Sequence, residues 1–423
     1  MFAEILTIGD ELTRGEIVDT NSAWLAAQLW DLDVAVRWKT SCRDDEADLR
    51  AALATAAARV DLVITSGGLG PTEDDLTCEV MAAAAGVAIV IDETARARLE
   101  FFLASRGRTV SEVNLRQARV PSGARVHANP AGLAPAFEIE LAGVPVVCLP
   151  GVPREIHAIW EAGLRARVDE LRQARGAAPR IARCVYRIFG RAESQLSEAL
   201  RGLVDDVEGA SIHYQIKFPE CLVKLVVRDP DAAAAAARLA QLDAVLRARV
   251  GRWIYGTGDD ALPLVLGRAL LAAGLRVAVA ESCTGGMVGA MLTELGGSSG
   301  YFVGGGIVYA NEEKVRQLGV APGTLAGHGA VSEETVIEMA RGVRAATGAD
   351  IGVAVSGIAG PGGGSADKPV GTVWLAVDGP GQAARTFRMQ WPGARDQVRT
   401  LAAWWALDLV RQATAAHVEG PHD

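Results

Sequence analysis

The chain has 423 residues, half of them hydrophobic, and carries 51 acidic against 42 basic side chains for a net charge of −9. That length predicts two or three domains with cores of their own, and the composition excludes a disordered chain. The acidic balance, with no dense Lys/Arg run, argues against a general nucleic-acid binder, because neutralising phosphates takes a basic face.

No apolar run approaches the ~18 residues of a membrane span, so no membrane association is expected. The opening MFAEILTIGDEL carries Glu4 and reaches Gly9-Asp10 before any long apolar stretch, so a signal peptide is not expected and a cytoplasmic location is. The cysteines (Cys42, Cys78, Cys148, Cys184, Cys221, Cys283) form no C-x-x-C pair, which reads as reduced thiols. The histidines form no H-x-H or H-E-x-x-H pattern, so a histidine metal site is not expected.

In chain order, AEILTI (3–8) reads as a buried strand and NSAWLAAQLWDL (21–32) as a helix capped by Thr20 or Asn21. VAVRWK follows as a strand, DEADLRAALATAAAR (45–59) as a helix with Asp44 and Asp45 as capping residues, and DLVITS (61–66) as a strand. GGLGPT then turns into a helix near Glu73. Such alternation predicts an α/β domain on a parallel sheet, with ligands beyond the carboxyl ends of its strands, where GDEL (9–12) and GGLGPTEDD (67–75) fall.

Residues 121–150 read as strands, and REIHAIWEAGLRARVDELRQARG is one long helix closing the first domain near 176. The segment 179–255 reads strand–helix–strand–strand–helix–strand, a small α+β module with an alanine-rich helix at 230–249. YGTGDD (255–260) marks the next boundary. The expected domains are therefore 1–176, 177–256 and 257–423. In the last, ALPLVLGRALLAAG is a helix, LRVAVA (275–280) a strand, ETVIEMARGVRAATG a helix, DIGVAVS (350–356) and GTVWLAV (371–377) strands, and 395–413 a closing helix: a second α/β domain.

In the first domain, glycines after a strand let backbone N–H groups approach an anion at a helix start. Asp74 and Asp75 beside them would repel phosphate unless a divalent cation intervened, and Asp10 and Glu11 stand at the parallel position after the first strand. Four carboxylates on one rim suit a magnesium-like ion working on a phosphate or pyrophosphate; helix-capping acids beside a tight turn are the plainer alternative.

The last domain holds AESCTGGMVG (280–289), three consecutive nucleophile-capable residues: Ser282, Cys283 and Thr284. A serine needs a base, and Lys314 downstream in VYANEEK qualifies if its pKa falls by about three units, roughly 4 kcal/mol. If Asn311 caps a helix, Lys314 lies in the first turn, where the dipole disfavours its charge. Cys283 is the rival nucleophile or a small core residue, and Thr284 is the expected cap of the next helix. His328 is more readily structural than a general base, and GIAGPGGG (357–364) is a phosphate loop, a lid or a surface turn.

GDELTRGEIVDTN, TSGGLGPTEDDLT, NPAGLAPAF and LPGVPREI resemble the molybdopterin-binding-like domain of the CinA family, a three-layer α/β fold, and AESCTGG, GGIVYANEEK, HGAVSEE and SGIAGP resemble that family's C-terminal domain. The first resemblance implies a metal-dependent ADP-ribose pyrophosphatase with Mg, Co or Mn. Its motif residues are Asp10, Glu11, Asp74 and Asp75 as metal ligands, and Asn21, Gly67, Gly68, Thr72, Thr77 and Gly132 around the substrate. Ala136 stands where the family usually has glycine, and its methyl is expected to narrow the rim.

The second resemblance implies a cofactor-free deamidase of nicotinamide mononucleotide. Ser282 and Lys314 are its catalytic pair, assisted by Tyr309, Ser356 and Arg395. Cys283, Thr284, Gly285, Gly286, Gly357, Gly360 and Arg399 lie on the substrate, with an oxyanion held by N–H groups at Cys283–Gly285. GARDQVR (393–399) departs from the usual motif by Ala394, which leaves open whether Arg395 or Arg399 is functional. A homodimer acting on small molecules is expected. The alternatives are a deamidase whose first domain only binds a nucleotide or molybdopterin, and a non-catalytic partner in competence or DNA-damage response.

Overall fold

The computed structural model describes residues 1–176, 180–381 and 383–419. They form two compact units, one of Met1–Ala182 with Val227–Ala237 and one of Arg183–Val226 with Arg238–Asp423.

The first unit is built on a six-stranded sheet. Phe2–Ile8, Ala35–Cys42, Leu62–Ser66 and Val144–Leu149 pair in parallel, as the strand–helix alternation predicts. Ala136–Leu141 and Arg125–His127 extend the sheet antiparallel, so it is mixed. The reason is the two-residue turn Ala142-Gly143, both at positive φ, whose tight reversal admits only an antiparallel neighbour.

Successive residues of each central strand feed opposite cores. Leu6, Val63 and Val146 pack with Leu49, Leu53 and Met81, while Ile5, Ile64 and Val147 pack with Leu25, Leu29 and Trp160. Two cores on one sheet make three layers. The expected long helix after residue 153 is interrupted: α-helical Pro153–Ile159 and Arg165–Ala174 flank a π-turn at Trp160–Leu164, where Gly163 has φ 151°.

After the first domain, Arg180–Phe189, Glu193–Ala199, Ala210–Lys217, Glu220–Asp229, Ala232–Val250 and Ile254–Thr257 follow the predicted strand–helix–strand–strand–helix–strand order, most of it in the second unit and Val227–Ala237 in the first. Phe189 and Tyr255 of this module are buried in the core of the last domain with Leu262, Leu266 and Leu407, which explains why the two pack as one unit.

The last domain has a five-stranded sheet. Val277–Glu281 lies parallel to Phe302–Ile307 and Ile351–Gly357, while Thr372–Asp378 and Arg385–Gln390 run antiparallel. Its two faces differ in bulk. Val277, Val279, Val353 and Leu375 meet the helices Leu262–Ala273 and Arg395–Glu419, whereas Ala278, Ala280, Ala354 and Ala376 let Glu333–Thr347 approach closely. At Gly352 an added Cβ would lie 2.1 Å from the Ala340 carbonyl oxygen. Among the described residues, no helix is long and apolar enough to cross a membrane.

Candidate active sites

Two clefts collect the sequence motifs. In the second unit, a cleft of about 280 Å³ opens where Val277–Glu281 and Ile351–Gly357 end. Ser282, Cys283, Tyr309, Lys314, Ser356, Gly357, Gly360 and Arg395 line it.

Lys314 is 1% exposed, and its Nζ donates to the carbonyls of Val308 (2.9 Å) and Tyr309 (3.0 Å) and faces Ser282 Oγ at 3.3 Å. Burial pushes its pKa below the ordinary 10.5, against the opposing influence of Cys283 and Glu312. A neutral amine has two N–H bonds and one lone pair. With both N–H bonds given to carbonyls, the remaining tetrahedral position, and thus the lone pair, points at the serine hydroxyl.

Burial is the cause expected of a lysine base, and only the proposed cap differs. The helix is Asn311–Leu318 with Ala310 at its N-cap, so Asn311 is not the cap, and desolvation is the main cause. Tyr309 serves Lys314 through its carbonyl, and its 62%-exposed side chain stands at the cleft.

The Ser282 loop is held from beneath. The buried Glu281 carboxylate accepts from the N–H groups of Gly286 (2.9 Å), Val288 (3.1 Å) and Gly289 (2.8 Å). It satisfies the start of helix Met287–Thr293, whose N-cap is Gly286 without a side-chain bond. Thr284 is therefore not the cap; it is fully buried, and its Oγ1 bonds none of the described residues. Arg399 donates to the carbonyls of Cys283 (3.1 Å) and Thr284 (2.8 Å), fastening the loop from behind. Arg395 reaches the cleft and donates to the Gly360 carbonyl at 2.7 Å, so the two arginines divide the roles between them.

Ser282 N–H is spent on Val355 O and Gly285 N–H on Ser282 O, whereas the N–H groups of Cys283 and Thr284 have no such backbone acceptor among the described residues. The Cys283 thiol is buried and pushed up to about 12 by desolvation, which removes its thiolate at neutral pH. Ser356 Oγ donates to Ala330 O at 2.7 Å. GIAGPGGG forms one wall of the cleft. His328 lies outside the cleft lining, exposed and 3.2 Å from Glu334.

In the first unit, a cleft of about 880 Å³ lies beyond the carboxyl ends of the parallel strands. Gly67 and Gly68 have φ of 116° and 68°, and a Cβ on either would meet Ile8 O or Thr77 Oγ1 at 2.3 Å, so only glycine fits. Thr77 is buried and donates to Gly67 O at 2.9 Å; it braces the loop from outside the cleft lining. Asn21 ties the loop ends together through Ser66 Oγ and Gly151 O. Gly132 lines the cleft against Glu155.

The carboxylates sort differently from the expectation. Asp75 accepts from Gly70 N at 2.7 Å, Thr72 N at 2.9 Å and the Thr72 hydroxyl, so it holds the turn. Asp10 is paired with Arg14 and Arg43. Asp45 alone caps helix Glu46–Ala57, while Asp44 turns to the cleft and accepts from Asp10 N at 2.8 Å. Burial raises the Asp44 pKa, and the carboxylates of Glu11, Asp10 and Asp74 raise it further.

Among the described residues no three His, Cys, Asp or Glu side chains form a ready-made metal cage. Glu11, Asp44 and Asp74 all line the cleft, hard oxygen donors of the type a magnesium-like ion takes, and the carboxylates of Glu11 and Asp74 act on Asp44. Arg98, Phe101, Phe102 and Arg106, which no motif had marked, line the same cleft, as does Arg154 of the LPGVPREI motif. Ala136, expected at the rim, is fully buried in a strand of the core, so its methyl narrows nothing.

Fold and sites together define a multidomain α/β protein with a serine–lysine cleft in its last domain. Three family matches tile the chain: a probable molybdopterin binding domain over residues 4–170, the damage-inducible protein CinA KH domain over 183–256 and the CinA C-terminal domain over 259–414. A CinA-like protein of Anaeromyxobacter dehalogenans is 44% identical over 98% of this chain and 100% of its own length. A putative competence-damage inducible protein of Symbiobacterium thermophilum is 42% identical over 99% and 100%. A solved structure of a competence/damage inducible protein from Agrobacterium tumefaciens is 38% identical, covering 37% of this chain and 97% of its own, with a TM-score of 0.35. The chain belongs to the CinA family.

Proposed function

We propose that the chain is a bifunctional hydrolase of small phosphorylated nucleotides. The last domain deamidates nicotinamide mononucleotide, and the first hydrolyses ADP-ribose to AMP and ribose 5-phosphate. The observation that supports the first activity best is the buried Lys314 facing Ser282, a costly arrangement that a base for the serine explains.

Neutral Lys314 takes the Ser282 proton as Oγ bonds to the amide carbon, and the carbonyl electrons move onto oxygen beside the N–H groups of Cys283 and Thr284. The tetrahedral adduct collapses, the C–N bond breaks, and the Lys314 ammonium gives its proton to the departing amide nitrogen, which leaves as ammonia. Water then attacks the acyl–serine ester, giving its proton to Lys314; the acyl C–Oγ bond breaks, Lys314 returns that proton to Ser282 Oγ, and nicotinate mononucleotide leaves. Arg395 at the cleft edge suits the substrate phosphate. The test is ammonia release from nicotinamide mononucleotide by purified protein; its absence ends the proposal.

For the second activity, the support is the larger cleft with its glycine loop, carboxylates and arginines. Gly67 N–H is used by Leu149 O and Gly70 N–H by Asp75, so the N–H groups of Gly68 and Leu69 remain for a phosphate oxygen. Glu11, Asp44 and Asp74 would hold the divalent ion, which when bound supplies charge neutralisation for the pyrophosphate. Arg98, Arg106 and Arg154 bind the phosphates, and Phe101 and Phe102 offer apolar surface to the adenine. AMP formation from ADP-ribose that stops on EDTA addition tests this reading; product surviving full chelation removes the metal from it.

The relatives' names favour a role in competence or damage response. A non-catalytic partner would have no use for a desolvated lysine against a serine, and the enzymatic reading is preferred on that ground.

A further inference from the structure

A third cleft, of about 630 Å³, lies in the second unit, away from the residues around Ser282. Its walls come from the end of strand Arg180–Phe189, the turn Gly251–Trp253, strand Arg385–Gln390 and the middle of helix Arg395–Glu419. No sequence motif pointed to it.

Its charge is out of keeping with the chain. Acidic residues outnumber basic ones, 51 to 42, yet Arg191, Arg252 and Arg385 have no carboxylate partner among the described residues. Arg191 and Arg252 both stack on Trp253, at 4.7 and 4.5 Å from the ring. Arg385 donates only to the neutral Gln412 side chain, at 3.0 Å. Arg411, by contrast, is neutralised by Asp408. Two guanidinium groups gathered on one indole repel each other; Arg191 gives one N–H to the Gly190 carbonyl at 3.2 Å, and stacking leaves the other in-plane N–H groups for planar acceptors.

The remaining lining is aromatic. Phe387 and Trp405 lie 4.1 Å apart with planes 32° from parallel, and Trp405 is held edge-on by Phe189 at 4.8 Å. A close, tilted aromatic pair beside three unneutralised arginines suits a ligand with an aromatic ring at one end and a phosphate at the other. The volume falls within the about 300–1,000 Å³ of small-ligand sites, and three arginines on a net-acidic chain are too few to track a polynucleotide backbone.

We propose that this cleft binds a mononucleotide, with Arg191, Arg252 and Arg385 on the phosphate and the base against Phe387 and Trp405. The site is separate from both proposed active sites.

The test is calorimetric titration of the full-length protein with AMP, alongside adenosine and inorganic phosphate as its two halves. Arg252→Gln/Arg385→Gln is expected to weaken one AMP-binding event by about tenfold or more, since each arginine contributes charge-assisted bonds. Adenosine and phosphate should each bind that site more weakly than AMP does. Phenylglyoxal labelling of wild-type protein, mapped by mass spectrometry, gives a second readout that needs no variant: AMP should protect Arg191, Arg252 and Arg385. Identical AMP isotherms for wild type and the double variant, or equal labelling with and without AMP, would overturn the proposal. So would tight binding of a single-stranded oligonucleotide by a protein that ignores AMP.

Discussion

Lys314 Nζ stands 3.3 Å from Ser282 Oγ, with its other polar contacts fixed on two backbone carbonyls. This arrangement determines the protonation state the pair needs. The ammonium form satisfies all three partners but cannot take a proton; the neutral form keeps both carbonyls and turns a lone pair on the hydroxyl.

The deamidase pH profile should show it. Burial lowers the Lys314 pKa, and the deprotonated amine is the active form, so kcat/KM should rise with pH along an acid limb whose midpoint lies below 10.5. The measurement is the ammonia rate from pH 5 to pH 11. A rate still climbing at 10.5 would show that Lys314 titrates as an ordinary lysine.

Glu281 should matter more to stability than its place beside the nucleophile suggests. Its carboxylate takes three buried N–H groups at the start of Met287–Thr293. Glu281→Ala leaves those donors unsatisfied, at a cost on the order of 3 kcal/mol in urea unfolding. Glu281→Gln, which keeps one acceptor oxygen, should recover part of this. Equal stability of all three proteins would mean that water replaces the carboxylate freely.

Arg399 and Arg395 should separate kinetically. Arg399 bonds the carbonyls of Cys283 and Thr284, whereas Arg395 faces the cleft. Arg399→Lys, which loses the fork reaching both carbonyls, should lower kcat with little change in KM. Arg395→Lys should chiefly raise KM for nicotinamide mononucleotide. The reverse pattern would exchange their roles.

In the first domain, Asp44→Asn should reduce ADP-ribose hydrolysis by about tenfold or more, because it removes a cleft carboxylate. Asp75→Asn should instead loosen the 67–75 turn it holds, seen as faster proteolysis there. Full activity in Asp44→Asn would leave Asp44 only its bond to the Asp10 N–H and no part in the hydrolysis.

Much of this was legible in the sequence, and the failures have physical causes. The order of elements in the middle module is as predicted because each has one unambiguous period. The antiparallel half of the first sheet was hidden in the Ala142-Gly143 turn, where an alanine occupies positive φ. Ser282 and Lys314 are 32 positions apart and meet only through the pairing of Val277–Glu281 with Phe302–Ile307, so the family motif, not local spacing, joined them.

Capping misled at both sites. Asp44 and Asp45 are equivalent as cap candidates in sequence, and only the fold turns one to the helix and the other to the cleft. Thr284 looked like a cap because Glu281 caps from upstream of the loop, a geometry no local rule describes. The arginine and phenylalanine wall at Arg98–Arg106 had a signal in its i, i+3, i+4 and i+8 spacing along helix Glu93–Ala104 and beyond, which the glycine motifs overshadowed.

The central claim is that Ser282, and not its neighbour Cys283, is the nucleophile. The most direct test is ammonia release from nicotinamide mononucleotide by wild type, Ser282→Ala and Cys283→Ala. With the Cys283 thiol buried and raised to about 12, Cys283→Ala should keep most of the activity, while Ser282→Ala should lose it by about 1,000-fold or more. Activity that survives in Ser282→Ala and vanishes in Cys283→Ala would contradict the account.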